Sequence, residues 1–231
     1  MRTLKTLFTA GLLVAATSFA KADTQDRHLT GFSAVSVAGS YDVYITQGST
    51  ESVKVDAPSD VIDRIITEVQ GGVLKIYTKE NTHFDWSGHK KMIVYVSIKD
   101  VNAVSLAGSG DVYFKDGLKA PSLKVKLTGS GDISGKVDVK ELESSIGGSG
   151  DITLSGRAEN STVSVVGSGD FTGNNLVTNN TRVKVAGSGD ARVNANDKID
   201  ASVVGSGDVH YTGSAKNISS SKAGSGSVSR M

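Results

Sequence analysis

The chain of 231 residues has no cysteine, two prolines and one tryptophan, and aromatic residues make up 6% of it. The lack of cysteine excludes a disulfide-stapled fold and a lipid-modified cysteine after a leader segment. Neither charge predominates, because 25 basic residues face 24 acidic ones, so no electrostatic footprint for nucleic acid is present. Glycine, by contrast, occurs 27 times, and this composition favours strands and turns over helices.

Residues 1–22 are predicted to be a secretory signal peptide. A basic start is followed by an apolar stretch from Leu7 to Phe19 and by Ala20-Lys21-Ala22, a small-x-small cleavage site. The apolar stretch is too short for a permanent membrane span, and no integral membrane segment is expected after cleavage. A retained membrane anchor is the alternative. The sequence therefore predicts an exported protein that is periplasmic, cell-surface or secreted.

The tetrapeptide Gly-Ser-Gly-Asp recurs six times in the second half of the chain, and a seventh copy ends in Ser227. Successive copies begin 18 to 21 residues apart. Self-similarity at this period is typical of stacked repeats, in which no single repeat buries a core alone. The glycines predicted to form structural corners are Gly108, Gly110, Gly129, Gly131, Gly148, Gly150, Gly167, Gly169, Gly187, Gly189, Gly205 and Gly207.

Apolar residues alternate regularly around each copy of the tetrapeptide. They stand at even offsets from its first glycine, so they share one face of an extended chain. Both glycines fall on that face and leave room for the corner to turn over the core, whereas serine and aspartate point outward. This pattern predicts an all-β fold, a right-handed parallel β-helix (solenoid) with about one rung per 18–21 residues.

Residues 23–231 are predicted to form a single β-solenoid domain. Its regular rungs occupy residues 101–231, and irregular rungs with a loop at 81–91 occupy residues 23–100. A degenerate copy of the repeat in this first part carries Tyr41 in place of the second glycine.

Two further segments depart from the regular pattern. One short helix is predicted near residues 58–66, with Ser59 as its N-cap. The last copy carries polar residues at core offsets, which suits either a terminal rung that closes the stack or a frayed tail. These residues are Ser220, Lys222 and Arg230.

The serial corners and the start of the domain resemble the family of putative auto-transporter adhesins with a head GIN domain. The matching start is Gly31 to Val35 followed by Asp42 to Ile45, and the resemblance runs from Phe32 to Val228. Tyr41 and Ser227 depart from the corner motif. The resemblance implies a β-helical fold at the bacterial cell envelope and an adhesive role, and it supplies no catalytic residues.

The corner aspartates are the main candidates for ligand binding. Stacked rungs would place them about 5 Å apart, where each neighbouring pair repels by roughly 1 kcal/mol even in water. Such a ladder could recruit calcium, which prefers several oxygen ligands, or it could bind a glycan. Alternatively, each carboxylate accepts hydrogen bonds from the amides of its own corner. The ladder comprises Asp111, Asp132, Asp151, Asp170, Asp190 and Asp208.

Signals for other chemistry are weak. The glycine triplets precede strand patterns and not the helix that a phosphate-binding loop requires. Polysaccharide lyases and hydrolases also use β-helices, but the uniform corners lack the local break that an active site would make. His83, Asp85 and His89 match no standard zinc spacing. Trp86 beside them could anchor a partner or cap the core.

The sequence thus predicts a cell-envelope or secreted protein that has a binding or structural role and is not an enzyme. It would act as an adhesin that presents a polar repeat face to a surface glycan, a protein or a cell surface. The alternatives are a calcium-dependent glycan-binding module and a polysaccharide-degrading enzyme. No cofactor is expected apart from the calcium hypothesis, and self-association into a homo-oligomer through flat side faces is a further hypothesis.

Overall fold

A computed structural model describes residues 22–79 and 92–231 of the chain. These residues form sixteen strands that belong to one sheet, and the sheet winds into a β-solenoid of about seven turns. Within the described segments no helix is long and apolar enough to cross a membrane. The predicted signal peptide (except Ala22) and the loop at 81–91, with its histidines and Trp86, lie outside the described residues.

The first seven strands build two rungs and a cap. They are β1 (Ala22–Asp26), β2 (Ala34–Gly39), β3 (Asp42–Gln47), β4 (Ser52–Pro58), β5 (Ile65–Gln70), β6 (Val73–Thr78) and β7 (Ile93–Ile98). The rung of β6 and β7 pairs in parallel with the rung of β2 and β3. On its other side, β5 pairs antiparallel with β6, β4 with β7, and β1 with β4. The antiparallel strands therefore cover the first end of the solenoid.

The helix predicted near residues 58–66 is wrong in type and length. The structure has a single turn of 3-10 helix, Ile62–Arg64, between β4 and β5, and no side chain caps it. Val61 and Ile65, which contributed to the helical pattern, are 1% and 2% exposed and pack into the core. Here the clustered apolar residues reflect burial beneath the cap and not helical periodicity.

The remaining strands run from corner to corner. They are β8 (Ala103–Gly108), β9 (Asp111–Gly129), β10 (Ile133–Gly148), β11 (Ile152–Gly167), β12 (Phe171–Gly187), β13 (Ala191–Gly205), β14 (Val209–Thr212), β15 (Asn217–Gly224) and β16 (Val228–Arg230). Neighbouring rungs pair in parallel, and the register places Gly148 between Gly129 and Gly167. The predicted stacking of corner upon corner is confirmed.

Apolar residues at the predicted even offsets form columns inside the solenoid. Leu127, Ile146 and Val165 stack in one column, and each is at most 2% exposed. Burying one such side chain contributes about 1.5–3 kcal/mol. In the next column, Ser144 lies buried between valines of the two neighbouring rungs, and its Oγ has no hydrogen-bond partner.

The last copy of the repeat forms a terminal rung. Strand β15 pairs with β13 and places Ser220 beside Ala201 and Lys222 beside Val203. Every residue of β15 is exposed, whereas Ala201 and Val203 are buried. At this end of the stack, the core offsets therefore face solvent and carry polar side chains.

Candidate functional site

The corners stack so closely that neither glycine can carry a side chain. A Cβ at Gly129 would lie under 3.0 Å from the carbonyl oxygen of Gly108, and one at Gly131 equally close to that of Gly110. Gly129 also has a φ of 124°, which favours glycine. Both the close packing and the backbone conformation therefore require glycine at the first position of the corner. The missing Cβ makes room mainly for the backbone of the neighbouring rung, and at Gly169 also for the core side chain of Ile146.

Hydrogen bonds between rungs satisfy the three amides that follow the first glycine of a corner. The carbonyl oxygen of Gly108 accepts the N–H groups of Ser130 at 3.0 Å and Gly131 at 3.1 Å. The N–H group of Asp132 donates to Oδ1 of Asp111 at 3.1 Å. Each corner is thereby held to the preceding one along its whole length.

The predicted aspartate ladder is a continuous row, and its carboxylates have a structural task. From Asp111 to Asp190, Oδ1 of each aspartate accepts the amide of the next aspartate at 2.8 to 3.1 Å. The donor thus belongs to the next rung and not to the same corner. Asp208 ends the row and accepts the N–H of Ser227 at 2.7 Å and its hydroxyl at 2.8 Å. Both bonds lower the pKa of Asp208.

The row shows no preformed metal site. Among residues 22–79 and 92–231, no group of three histidine, aspartate or glutamate side chains is placed to hold a metal ion. Since one oxygen of each carboxylate is occupied by an amide, the geometry gives the calcium hypothesis no support.

Three tyrosines stack on the outer surface beside the aspartate row. Tyr44 lies between Tyr95 and Tyr113, with ring-centroid separations of 5.6 and 5.0 Å and interplanar angles of 19° and 16°. Lys115 places its Nζ 4.7 Å from the centroid of the Tyr44 ring. These residues come from β7, β3 and β9, which are neighbours in the sheet.

The hydroxyl of Tyr113 anchors this stack to the aspartate row. It donates to Oδ2 of Asp111 at 3.0 Å. Desolvation by surrounding groups, together with this hydrogen bond and the charge of Asp111, raises the pKa of Tyr113 to about 12. The phenol therefore remains a neutral donor at physiological pH, with its ring held in one orientation.

Comparison with known proteins identifies the protein family to which the chain is related. The family model described as "Putative auto-transporter adhesin, head GIN domain" matches residues 31–215. The chain belongs to this family. The match covers the head GIN domain from just before β2 to just before β15, so the terminal rung lies beyond it. No curated protein matches the sequence significantly.

Solved structures share the fold of this head GIN domain. A putative adhesin from Bacteroides fragilis has 26% sequence identity and a TM-score of 0.87, with 91% of this chain and 97% of that chain covered. A putative adhesin from Parabacteroides distasonis has 24% identity and a TM-score of 0.74, covering 92% and 98%. A putative lipid binding protein from the same species has 24% identity and a TM-score of 0.74, covering 91% and 96%. The last two likenesses show the fold alone.

Beyond the tyrosines, small hydroxyl side chains continue the same outward column of the head GIN domain. The sheet register places Ser134 beside Tyr113, then Thr153, Thr172 and Arg192, and the same column goes on to His210. We call the five residues from Tyr113 to Arg192 the hydroxyl strip. Rungs are about 4.8 Å apart, so the strip is about 19 Å long. Within the described ranges, no hydrogen bond engages the hydroxyls of its serine and threonines.

The aspartate row runs beside the hydroxyl strip. On every rung, the aspartate stands two positions before the strip residue in the sequence. Arg192, at the far end, lies 3.8 Å from Oδ2 of Asp170 and 3.8 Å from Oδ2 of Asp190, so its charge is compensated. In the part of the chain that the structure describes, no partner engages Oδ2 of Asp132 or Asp151. The rungs of Ser134 and Thr153 therefore each offer an unengaged carboxylate oxygen beside an unengaged hydroxyl, whereas Oδ2 of Asp170 beside Thr172 faces Arg192.

Open clefts lie on another face of the head GIN domain. One has a volume of about 370 Å³ and is lined by Lys136, Asp138 and Arg157 among others. Lys119, Asp138 and Arg157 follow one another along a single outward column. Because the charges alternate in sign, this face carries no concentration of one charge.

The repeat pattern of the sequence predicted neither the tyrosine stack nor the hydroxyl strip. One local signal was present, since Asp-Val-Tyr occurs both at Asp42 to Tyr44 and at Asp111 to Tyr113. The third member, Tyr95, follows no corner motif. Only the pairing of β3 with both β7 and β9 brings the three rings together.

Proposed function

We propose that the chain is an exported, adhesin-type binding protein whose solenoid presents a polar outer face to a partner on a cell surface. Membership of the head GIN family and the likeness to the Bacteroides fragilis putative adhesin support this proposal. Export rests on the signal peptide predicted over residues 1–22.

The arrangement of the outer surface favours binding over catalysis. A catalytic carboxylate needs freedom to exchange protons or to reach a substrate atom. Here one oxygen of every aspartate from Asp111 to Asp208 accepts a backbone amide, which ties the row to the fold. The single observation that carries the proposal is the continuous outward row of aspartates with stacked tyrosines beside it. A rigid, repetitive display of this kind suits recognition of an extended partner.

Expression of the full chain in a bacterium tests export and binding together. Cell fractionation and N-terminal sequencing should find the protein outside the cytoplasm with Asp23 as its first residue. The purified product, fluorescently labelled, should bind bacterial or host cells or their extracted surface polysaccharides, as measured by flow cytometry and a glycan array. Cytoplasmic retention, or binding no greater than that of a heat-unfolded sample, would contradict the proposal. Release of reducing ends from a polysaccharide would favour the enzyme alternative.

Self-association stays a prediction. Val166 and Val204 are each 55% exposed and lie in one outward column with Ala186 between them. Light scattering of the purified protein over a range of concentrations measures its oligomeric state directly. A constant monomer mass would remove this hypothesis.

A further inference from the structure

The exposed face of the Tyr113 ring is the starting point for a more specific inference. Tyr44 covers one face of this ring at a centroid separation of 5.0 Å. On the other side, the register places only Ser134, whose side chain is too short to cover a phenol ring. The hydrogen bond to Asp111 holds the ring in this orientation. Tyr113 thus offers a flat apolar surface that faces along the hydroxyl strip.

The strip beyond this ring is matched to a ligand rich in hydroxyl groups. Two neighbouring rungs present a hydroxyl and, two residues before it, a carboxylate oxygen without a partner in the described part of the chain: Ser134 with Asp132 and Thr153 with Asp151. A carboxylate accepts hydrogen bonds, whereas a hydroxyl both donates and accepts them. These two rungs stack about 4.8 Å apart.

The charge of this region selects against an acidic ligand. The aspartate row flanks the whole strip, and the cation within the strip, Arg192, is already shared between Asp170 and Asp190. On the opposite side, exposed lysines stand beside the first two rungs only, at Lys115 and Lys136. An anionic polymer would meet like charge on every rung, which weakens association. A peptide ligand is also disfavoured, because the clefts that could bury an anchoring side chain are lined by residues outside the strip, such as Asp138 and Arg157.

We propose that the hydroxyl strip binds a neutral oligosaccharide, with one sugar ring stacked on the open face of Tyr113 and the following sugars over Ser134, Thr153 and Thr172. The apolar C–H face of a pyranose packs against the phenol ring, as aromatic rings do with flat apolar partners. The following sugars donate hydroxyl hydrogens to the unengaged carboxylate oxygens and exchange hydrogen bonds with Thr153 and Thr172. This inference rests on the proposed binding function and gives it a site and a ligand class.

Calorimetric titration of the purified full-length product with cellohexaose, laminarihexaose, maltohexaose and chitohexaose tests the inference. Polygalacturonate and a lysine-rich peptide are the comparison ligands. We expect at least one neutral hexasaccharide to bind, and Tyr113→Ala to weaken that binding by about tenfold or more. Thr153→Lys should weaken it similarly, because a long exposed side chain blocks the strip. Thr153 is exposed, so this variant tests the site even if Tyr113→Ala disturbs the stack.

Tyr77→Ala is the matched control. Tyr77 is another half-buried tyrosine, and its hydroxyl donates to Glu68 at 3.0 Å, but it lies on β6, before the corner and away from the strip. Its removal should leave affinity within about twofold of the wild type. If Tyr113→Ala and Thr153→Lys bind as tightly as Tyr77→Ala, the strip is not the site.

The remaining outcomes separate this inference from the proposed function. Cell binding by a protein that takes none of the neutral hexasaccharides would overturn the ligand class and leave the adhesin proposal intact. Preferential binding of polygalacturonate or of the peptide would overturn it as well. Strip-dependent hexasaccharide binding by a protein that does not bind cells would support the site and contradict the adhesin proposal.

Discussion

Replacing Gly150 by alanine tests whether close stacking of the corners holds the solenoid together. The added Cβ would lie under 3.0 Å from a carbonyl oxygen of the preceding rung. Relief of this overlap requires separating two rungs that stack about 4.8 Å apart. Three hydrogen bonds cross that gap: the N–H groups of Ser149 and Gly150 donate to Gly129 at 2.9 and 3.0 Å, and that of Asp151 donates to Asp132 at 3.0 Å.

The expected loss of stability follows from these contacts. Three hydrogen bonds contribute a net ~0.5–1.5 kcal/mol each, and overpacking adds ~1–3 kcal/mol. We therefore expect Gly150→Ala to lower the free energy of unfolding by about 3–7 kcal/mol. Since a whole domain is stable by only about 5–15 kcal/mol, this one methyl group would bring the protein close to unfolding.

Gly147→Ala is the matched control, because it makes the same change on the same rung. A Cβ at Gly147 would lie 3.9 Å from the nearest atom, a carbonyl oxygen, which is ordinary contact. The neighbouring rungs carry Thr128 and Val166 at this position, so side chains fit there. We expect the free energy of unfolding to change by no more than about 1 kcal/mol. Any gain would come from the smaller conformational freedom of the unfolded chain with alanine at this position.

Urea unfolding followed by far-ultraviolet circular dichroism measures both variants. Hydrogen exchange at the corner amides would add a local measurement, since stability in stacked repeats is nearly a sum of neighbouring terms. Equal stabilities for Gly150→Ala and Gly147→Ala would contradict this prediction, because they would show that the corners tolerate a wider separation between rungs.

Three further predictions concern single side chains. Ser144→Val should raise the unfolding free energy by about 1 kcal/mol in urea, because an unpaired buried hydroxyl is replaced by an apolar group; a loss would contradict this. Ser227→Ala should raise the pKa of Asp208 in an NMR titration. The pKa of Asp208 is lower in the folded protein than its ordinary value of 3.8. Its contribution to the free energy of unfolding is therefore fully present above pH 3.8 and is lost as the pH falls through the folded pKa. Asp111→Asn should lower the ultraviolet-detected pKa of Tyr113 from about 12 while leaving it above 10, since desolvation persists; an unchanged pKa would exclude the contact.

The regular half of the fold was predictable because its information is local and repeated. Each corner carries two glycines, and only a parallel register keeps glycine against glycine on successive rungs, as at Gly129 and Gly148. A slip by one residue would place a Cβ against a neighbouring carbonyl and turn apolar residues such as Val125 outward. The even offsets therefore specify both which face of each strand is buried and the register between neighbouring rungs.

The first rungs and the outer site could not be predicted, because they depend on pairing between distant segments. Strand β3 lies between β7 and β9, although β7 begins 46 residues after β3 ends in the chain. No local pattern indicates that the rung of β2 and β3 lies between the rung of β6 and β7 and the rung of β8 and β9, or that the intervening chain forms an antiparallel cap. The stack of Tyr44 with Tyr95 and Tyr113 follows directly from that arrangement.

The change from aspartate to Ser227 in the last copy shows what the corner residue is for. In the preceding copies, an aspartate donates its amide to one rung and offers Oδ1 to the amide of the next. The last corner has no following rung within the described chain, so a carboxylate there would add repulsion beside Asp208 without receiving an amide. Serine instead donates both its amide and its hydroxyl to Asp208. Stacking therefore accounts for one oxygen of each aspartate, and on the rungs of Asp132 and Asp151 it leaves the second oxygen without a partner among the described residues.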